Sequence, residues 1–229
     1  MKSLILQGAA VLPTQLALLF LLAAWTPCAS ASALPTGPQF DSPIPISSTI
    51  IGVGQLGTLD IDLDGDLDML IIDGSLVGLA SLENIGNDRF DPATPLGLPL
   101  ERPIAFGAID IEFDGTEELL VLDVGSSSQA PSLVLFSRAT DGALEVASAF
   151  PLPLAFPASE LRDQMKIQDV DGDGRLDAVL RTRLGMLVAY QDSPGQFLFL
   201  QPNVAPVQDF NASFGDLDGN GLLDLIAIT

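Results

Sequence analysis

Short apolar runs recur along the chain, each directly behind a dense acidic stretch. Met69-Leu70-Ile71-Ile72, Leu119-Leu120-Val121-Leu122, Ala178-Val179-Leu180 and Leu225-Ile226-Ala227-Ile228 all follow segments rich in Asp, Glu and Gly. Runs of this length, aliphatic and bounded by turn formers, predict β-strands. Pro clusters from Pro92 to Pro103, Pro151 to Pro157 and Pro202 to Pro206 mark joints between successive units. The expected fold is all-β and built from repeated units.

One apolar stretch departs from this pattern. Leu16 to Trp25 is longer, Lys2 precedes it, and Ala29-Ser30-Ala31-Ser32-Ala33 follows it. That is the order of a secretory signal peptide, with cleavage after Ala31 or Ala33; an uncleaved anchor helix is the alternative. The chain divides into a signal peptide (1–33), a Pro-rich lead-in (34–48) and the repeats (49–229). A secreted, periplasmic or cell-surface location follows, and no later segment is long and apolar enough to span a bilayer.

Composition narrows the chemistry. Thirty acidic residues face nine Lys and Arg among 229, a net charge of −21. Such an imbalance repels nucleic acid and anionic lipid and favours cations. The chain has no His, and its one cysteine, Cys28, lies within the signal. Ser/His/Asp and Cys/His catalysis and typical zinc sites are excluded. A secreted domain without disulfides needs another staple, and bound metal is the usual substitute.

The acids are arranged in register. Asp60, Asp62, Asp64, Gly65, Asp66 and Asp68 form the first copy of a nine-residue loop; Asp169, Asp171, Asp173, Gly174, Arg175 and Asp177 another; Asp216, Asp218, Asn220, Gly221, Leu222 and Asp224 a third. A degenerate copy holds Asp110, Glu112, Asp114, Gly115, Thr116 and Glu118. The shared pattern is D-x-[DE]-x-[DN]-G-x-x-[DE]. Calcium is a hard cation taking about six to eight oxygens. Side chains at positions 1, 3 and 5 converge when a loop curls round it, and Gly at position 6 permits the sharp turn. Position 7 offers a backbone carbonyl, so Asp66, Thr116, Arg175 and Leu222 are free to differ, and the acid at position 9 closes the cage. An EF-hand loop would need an acid at position 12, where this chain has Ile71, Val121, Leu180 and Ala227. Plain Asp-Gly turns account for one such loop but not for three copies in register. Three to four calcium ions are expected, with the copy at Asp110 the doubtful one.

These copies resemble the FG-GAP/VCBS repeat, the calcium-loop blade of integrin α-like β-propellers. Gly215 to Ile226 matches that pattern closely, Leu79 to Phe90 looks like its second hairpin with an Asn-x-Gly turn before an aromatic, and Ala189 to Phe197 is a weaker echo. The resemblance implies four-stranded antiparallel blades with calcium in the first hairpin loop. It implies about three complete blades and the start of a fourth, part of a larger propeller, because propellers close with about four to eight. Phe106, Phe113, Phe136, Phe150, Phe156, Phe197, Phe199, Phe210 and Phe214 are expected in the core between blades, and Arg181 and Arg183 on a solvated face. The function implied is an extracellular adhesion or recognition scaffold that binds a protein or glycan. A calcium-dependent polysaccharide lyase or glycosidase, or the non-catalytic part of one, is the alternative. No paired carboxylates or marked base indicate catalysis.

Overall fold

The computed structural model describes residues 53–73, 78–87, 89–183, 185–201, 211–219 and 224–228. The signal, the lead-in, the Pro202 to Pro206 joint, Asn220 and Leu222 lie outside them. Strands β1 (Val53–Leu59), β2 (Asp68–Asp73), β3 (Leu79–Leu82) and β4 (Thr94–Pro95) form a first sheet. A second comprises β5 (Pro103–Ile109), β6 (Glu118–Asp123), β7 (Ser132–Arg138) and β8 (Leu144–Pro151). A short 3-10 turn, Ala158–Glu160, leads into the third: β9 (Leu161–Gln168), β10 (Asp177–Thr182), β11 (Gly185–Ser193) and β12 (Gln196–Leu200). A hairpin, β13 (Asn211–Gly215) and β14 (Asp224–Ile228), follows. Within each sheet every strand pairs antiparallel with its neighbour in sequence. The apolar runs are the second strands.

The side-chain period of two explains why β6 is apolar throughout. Its Leu119 and Val121 pack with Leu59, Leu70 and Leu79 of the first sheet. Leu120 and Leu122 pack with Ala178, Leu180, Leu187 and Ala189 of the third. The second sheet is thus covered on both faces, and all six residues of β6 are buried. Each buried Leu or Val contributes about 1.5–3 kcal/mol. The joint after β4 contributes as well, since Leu96, Leu98 and Leu100 pack against the first of these clusters.

The first strands of the sheets approach one another closely. A Cβ on Gly57 would lie 2.6 Å from the Phe106 ring, and one on Gly107 would lie 2.5 Å from Ile167. Glycine leaves the room that β1 against β5 and β5 against β9 require. Gln55 locks the first of these contacts: its Nε2 donates to Phe106 O (2.7 Å), and Phe106 N donates to its Oε1 (2.9 Å).

Phe106, Phe136 and Phe156 are buried as expected. Phe150, Phe197 and Phe199 are half-buried against the core, Phe150 meeting Phe197 edge-on at 5.3 Å. Phe113 does not belong there: it is 55% exposed, because it occupies position 4 of an acidic loop rather than a strand. The side chains of Phe210 and Phe214 lie outside the described residues.

Candidate functional site

Each acidic loop joins the first and second strands of its sheet, in one register. Position 9 begins the second strand and pairs with the residue just before position 1: Leu59 with Asp68, Ile109 with Glu118, Gln168 with Asp177, Gly215 with Asp224. Position 9 also accepts the amide of position 2: Ile61 N donates to Asp68 (2.7 Å), Ile111 N to Glu118 (2.9 Å), Val170 N to Asp177 (2.9 Å) and Leu217 N to Asp224 (2.9 Å). In two loops its other oxygen holds the second hairpin, through Asn84 N to Asp68 (2.7 Å) and Gln191 N to Asp177 (2.9 Å). The Asn-x-Gly turn read from the sequence is therefore fastened to the first loop. Asn84 and Phe90 form a β-bridge around it.

Inside the loops, position 1 accepts the amide of the position 6 glycine: Gly65 N to Asp60 (3.1 Å), Gly115 N to Asp110 (3.0 Å) and Gly174 N to Asp169 (2.9 Å). These glycines have φ of 95°, 88° and 87°, conformations that cost glycine little. Backbone amides thus curl these three loops around the position 1 carboxylate.

Among the described residues, three acidic triads result: Asp60, Asp62 and Asp68; Asp169, Asp171 and Asp177; Asp216, Asp218 and Asp224. Each residue offers an oxygen within 4.8 Å of the other two. These are positions 1, 3 and 9 of the pattern. The position 5 carboxylates stand outside the triads. Asp64 accepts Asp66 N (2.9 Å), Asp114 accepts Thr116 N (2.7 Å) and Asp173 accepts Arg175 N (2.8 Å). Arg175 does more than supply a backbone position: its guanidinium forms an ion pair with Asp173, and its Nε donates to Gln191 O (2.6 Å). The degenerate loop makes no such triad. Its Asp110 carboxylate accepts Asp114 N (3.1 Å) and Gly115 N, Glu112 is exposed, and Glu118 is one methylene longer than Asp.

The electrostatics fit a cation. Burial raises the Asp177 carboxyl above its ordinary range, with Asp171 and Asp173 adding to the effect against the amides of Val170 and Gln191. Burial likewise raises Glu118, with Asp114, Asp110 and Glu112 adding. Asp60 Oδ1 is buried without a hydrogen-bond partner, an arrangement that a hard cation satisfies. Asp60, Asp62 and Asp68 would hold such an ion in the first loop, and the equivalent triads in the third and fourth.

Several contributors were not visible in the pattern. Glu83 follows β3 beside the first loop, and Asp62 raises its carboxyl, with burial, Asp91 and Asp68 adding. Arg138, at the end of β7, donates from its guanidinium to the Asp60 and Ile61 carbonyls. Buried Gln191, on β11, donates from Nε2 to Ile111 O (2.9 Å). In both cases the third strand of one sheet grips position 2 of the preceding sheet's loop. A sequence pattern shows neither residue, because each acts on a loop about 80 positions away.

No curated protein matches the chain. Solved structures similar to it include an Agrocybe aegerita lectin that specifically recognises non-reducing terminal N-acetylglucosamine, at 17% identity and a TM-score of 0.46. That match covers 76% of this chain and 46% of the lectin chain. Another is the V. cholerae biofilm matrix protein Bap1, at 15% identity and a TM-score of 0.45, covering 80% of this chain and 29% of that one. The chain thus spans less than half the length of either. The model of the FG-GAP-like repeat matches residues 169–227, from the first aspartate of one triad-bearing loop to the strand behind the next. Over those residues the chain carries an FG-GAP-like repeat, the family its aspartate loops resemble.

Proposed function

We propose that this is a secreted, calcium-binding repeat protein whose sheets are blades of a β-propeller, and that it acts as an extracellular adhesion or recognition scaffold without enzymatic activity. The observation that carries the reading is the recurrence of one aspartate triad, in one register, at the first hairpin of the first, third and fourth units. Calcium is favoured over magnesium because the donors are flexible carboxylates and carbonyls, whereas magnesium demands a tight octahedron and keeps its waters. In each loop backbone amides hold positions 1 and 9 in place, and in the first and third loops they hold position 3 as well, through Asp62 and Asp171. The bound ion supplies positive charge that offsets their repulsion and keeps the first hairpin closed. Extracellular export rests on residues 1–33, and the partner classes are an extracellular protein or glycan. Calorimetric titration of the chain with calcium is expected to find three ions, one per triad, with the Asp110 loop weaker or silent. One ion or none would overturn the reading.

A further inference from the structure

Far along the sheets from the acidic loops, the starts of β5 and β9 and the end of β6 border a shallow, open cleft of about 350 Å³. Its walls are Arg102, Ile104, Val124, Leu161, Arg162 and Asp163, with Ala158 from the 3-10 turn. Two of the chain's nine cationic residues therefore line one cleft in a protein of net charge −21. Neither is ion-paired among the described residues, in contrast to Arg175, which pairs with Asp173. Both arginines are held from behind. Asp123 buries its carboxylate beneath the cleft and accepts the amides of Arg102 (2.7 Å), Glu101 (3.0 Å) and Gly125 (3.1 Å), fixing where Arg102 leaves the backbone. Arg162 Nη1 donates to the carbonyls of Leu161 (2.9 Å) and Ser159 (3.3 Å), which orients the rest of its fork. Exposed Arg183 is tied to the 3-10 turn by its amide, which donates to Glu160 O (2.7 Å).

We propose that this cleft binds an acidic sugar, with Arg102 and Arg162 gripping its oxyanion and Asp163 accepting a hydroxyl. The inference deepens the recognition reading above and rests on it. Guanidinium forks match planar or tetrahedral oxyanions. Half-buried Ile104, with the edges of buried Val124 and Leu161, gives a small apolar floor against which a sugar's C–H face packs. The volume is at the small end of ligand sites and suits one or two rings. A carboxylate beside two arginines suits a ligand that offers hydroxyls as well as an anion; a Glu or Asp side chain of a peptide offers no such hydroxyl.

The test titrates the full chain, calcium present and at low ionic strength, with glucuronic- and galacturonic-acid oligosaccharides. The comparison arms are their neutral glucose and galactose counterparts, sulfated galactose oligosaccharides and a poly-glutamate peptide. Acidic sugars are expected to bind and neutral ones not. The carboxylated and sulfated arms identify which oxyanion is preferred, and binding of either supports the site. Arg102→Gln and Arg162→Gln should each weaken binding about tenfold, Arg162→Lys less, and the distant Arg89→Gln not at all, with unchanged thermal melts. Equal binding of neutral sugars, retention in the Arg102→Gln/Arg162→Gln double variant, or binding of poly-glutamate alone would overturn the proposal. Calcium stoichiometry is read separately, so a chain that binds three calcium ions and no acidic sugar overturns this inference and leaves the calcium reading standing.

Discussion

Position 4 of the loops carries a backbone demand that its residue type only partly reveals. Leu63 and Phe113 adopt φ of 63° and 58°, and Gly172 and Gly219 stand at the same position with 77° and 75°. The left-handed conformation costs a residue with a Cβ about 1–2 kcal/mol, and both large side chains are more than half exposed, so they return little packing. Leu63→Gly and Phe113→Gly are each expected to raise stability by about 0.5–1 kcal/mol once glycine's greater unfolded-state freedom is subtracted. A denaturant midpoint that falls for both would contradict this. The spacing of acids and of the position 6 glycines was legible in the sequence because chemistry fixes it. The loop pattern leaves position 4 unspecified, although glycine in two copies of four, Gly172 and Gly219, was the available signal. Position 9 has its own prediction. The Asp177 carboxyl is raised in the folded state by burial, with Asp171 and Asp173 adding, so its protonated form favours folding. Its contribution is complete below the ordinary carboxylate range near pH 4 and is lost as pH rises through the raised folded value. In chelator, the chain should lose stability on going from about pH 4 to pH 7, and Asp177→Asn should flatten that slope while lowering stability throughout. Thermal melts across pH in both proteins measure it; identical slopes would remove Asp177 from the account.

At the scale of elements, the second strands were the most legible parts, since β6 and β10 are buried on both faces and read as continuous apolar runs. The first strands were harder to read. β1 and β5 carry Gly57 and Gly107 where strand propensity would place a larger residue, and the reason is a neighbour from the next sheet. Phe113 was misplaced for a related reason: an aromatic within a loop resembles core until the loop's exposure is known. The ties between sheets were not legible at all. Arg138 reaches the Asp60 and Ile61 carbonyls only because the second sheet stacks on the first. Arg138→Leu leaves both carbonyls without that donor, and hydrogen bonds to a charged group are each worth about 1.5–3 kcal/mol. The variant is expected to lose at least about 2 kcal/mol and to weaken calcium binding at the first loop while the Asp169 and Asp216 loops keep theirs. Calorimetry resolving the classes of site checks the second half. Equal weakening at every loop would point to general unfolding instead of a local tie.

For the whole molecule the deciding quantity is charge. A chain at −21 that folds its aspartates into triads with oxygens within 4.8 Å concentrates repulsion at the hairpins that start its sheets. Those hairpins also hold the second hairpins, through Asn84 and Gln191, and the neighbouring sheets, through Arg138 and Gln191. Loosening a loop therefore frees more than the loop. A divalent ion bound to the folded state alone stabilises by RT ln(1 + [L]/Kd), about 2.7 kcal/mol per site at a hundredfold excess over Kd. Three triads would contribute about 8 kcal/mol, comparable to the whole stability of an ordinary domain. For a chain of this size each kcal/mol corresponds to about 2–4 °C in Tm. Excess chelator at fixed ionic strength is expected to lower Tm by more than about 10 °C and to open the loops at Asp60, Asp169 and Asp216 to protease. Added magnesium should restore less of the Tm than equimolar calcium, since its octahedral demand suits these loops poorly. Salt alone, which screens exposed carboxylates over about 8 Å at physiological strength, should recover only part of the loss. Superimposable melts with and without chelator would mean that the triads are turns held by backbone amides, with no cation in their stability.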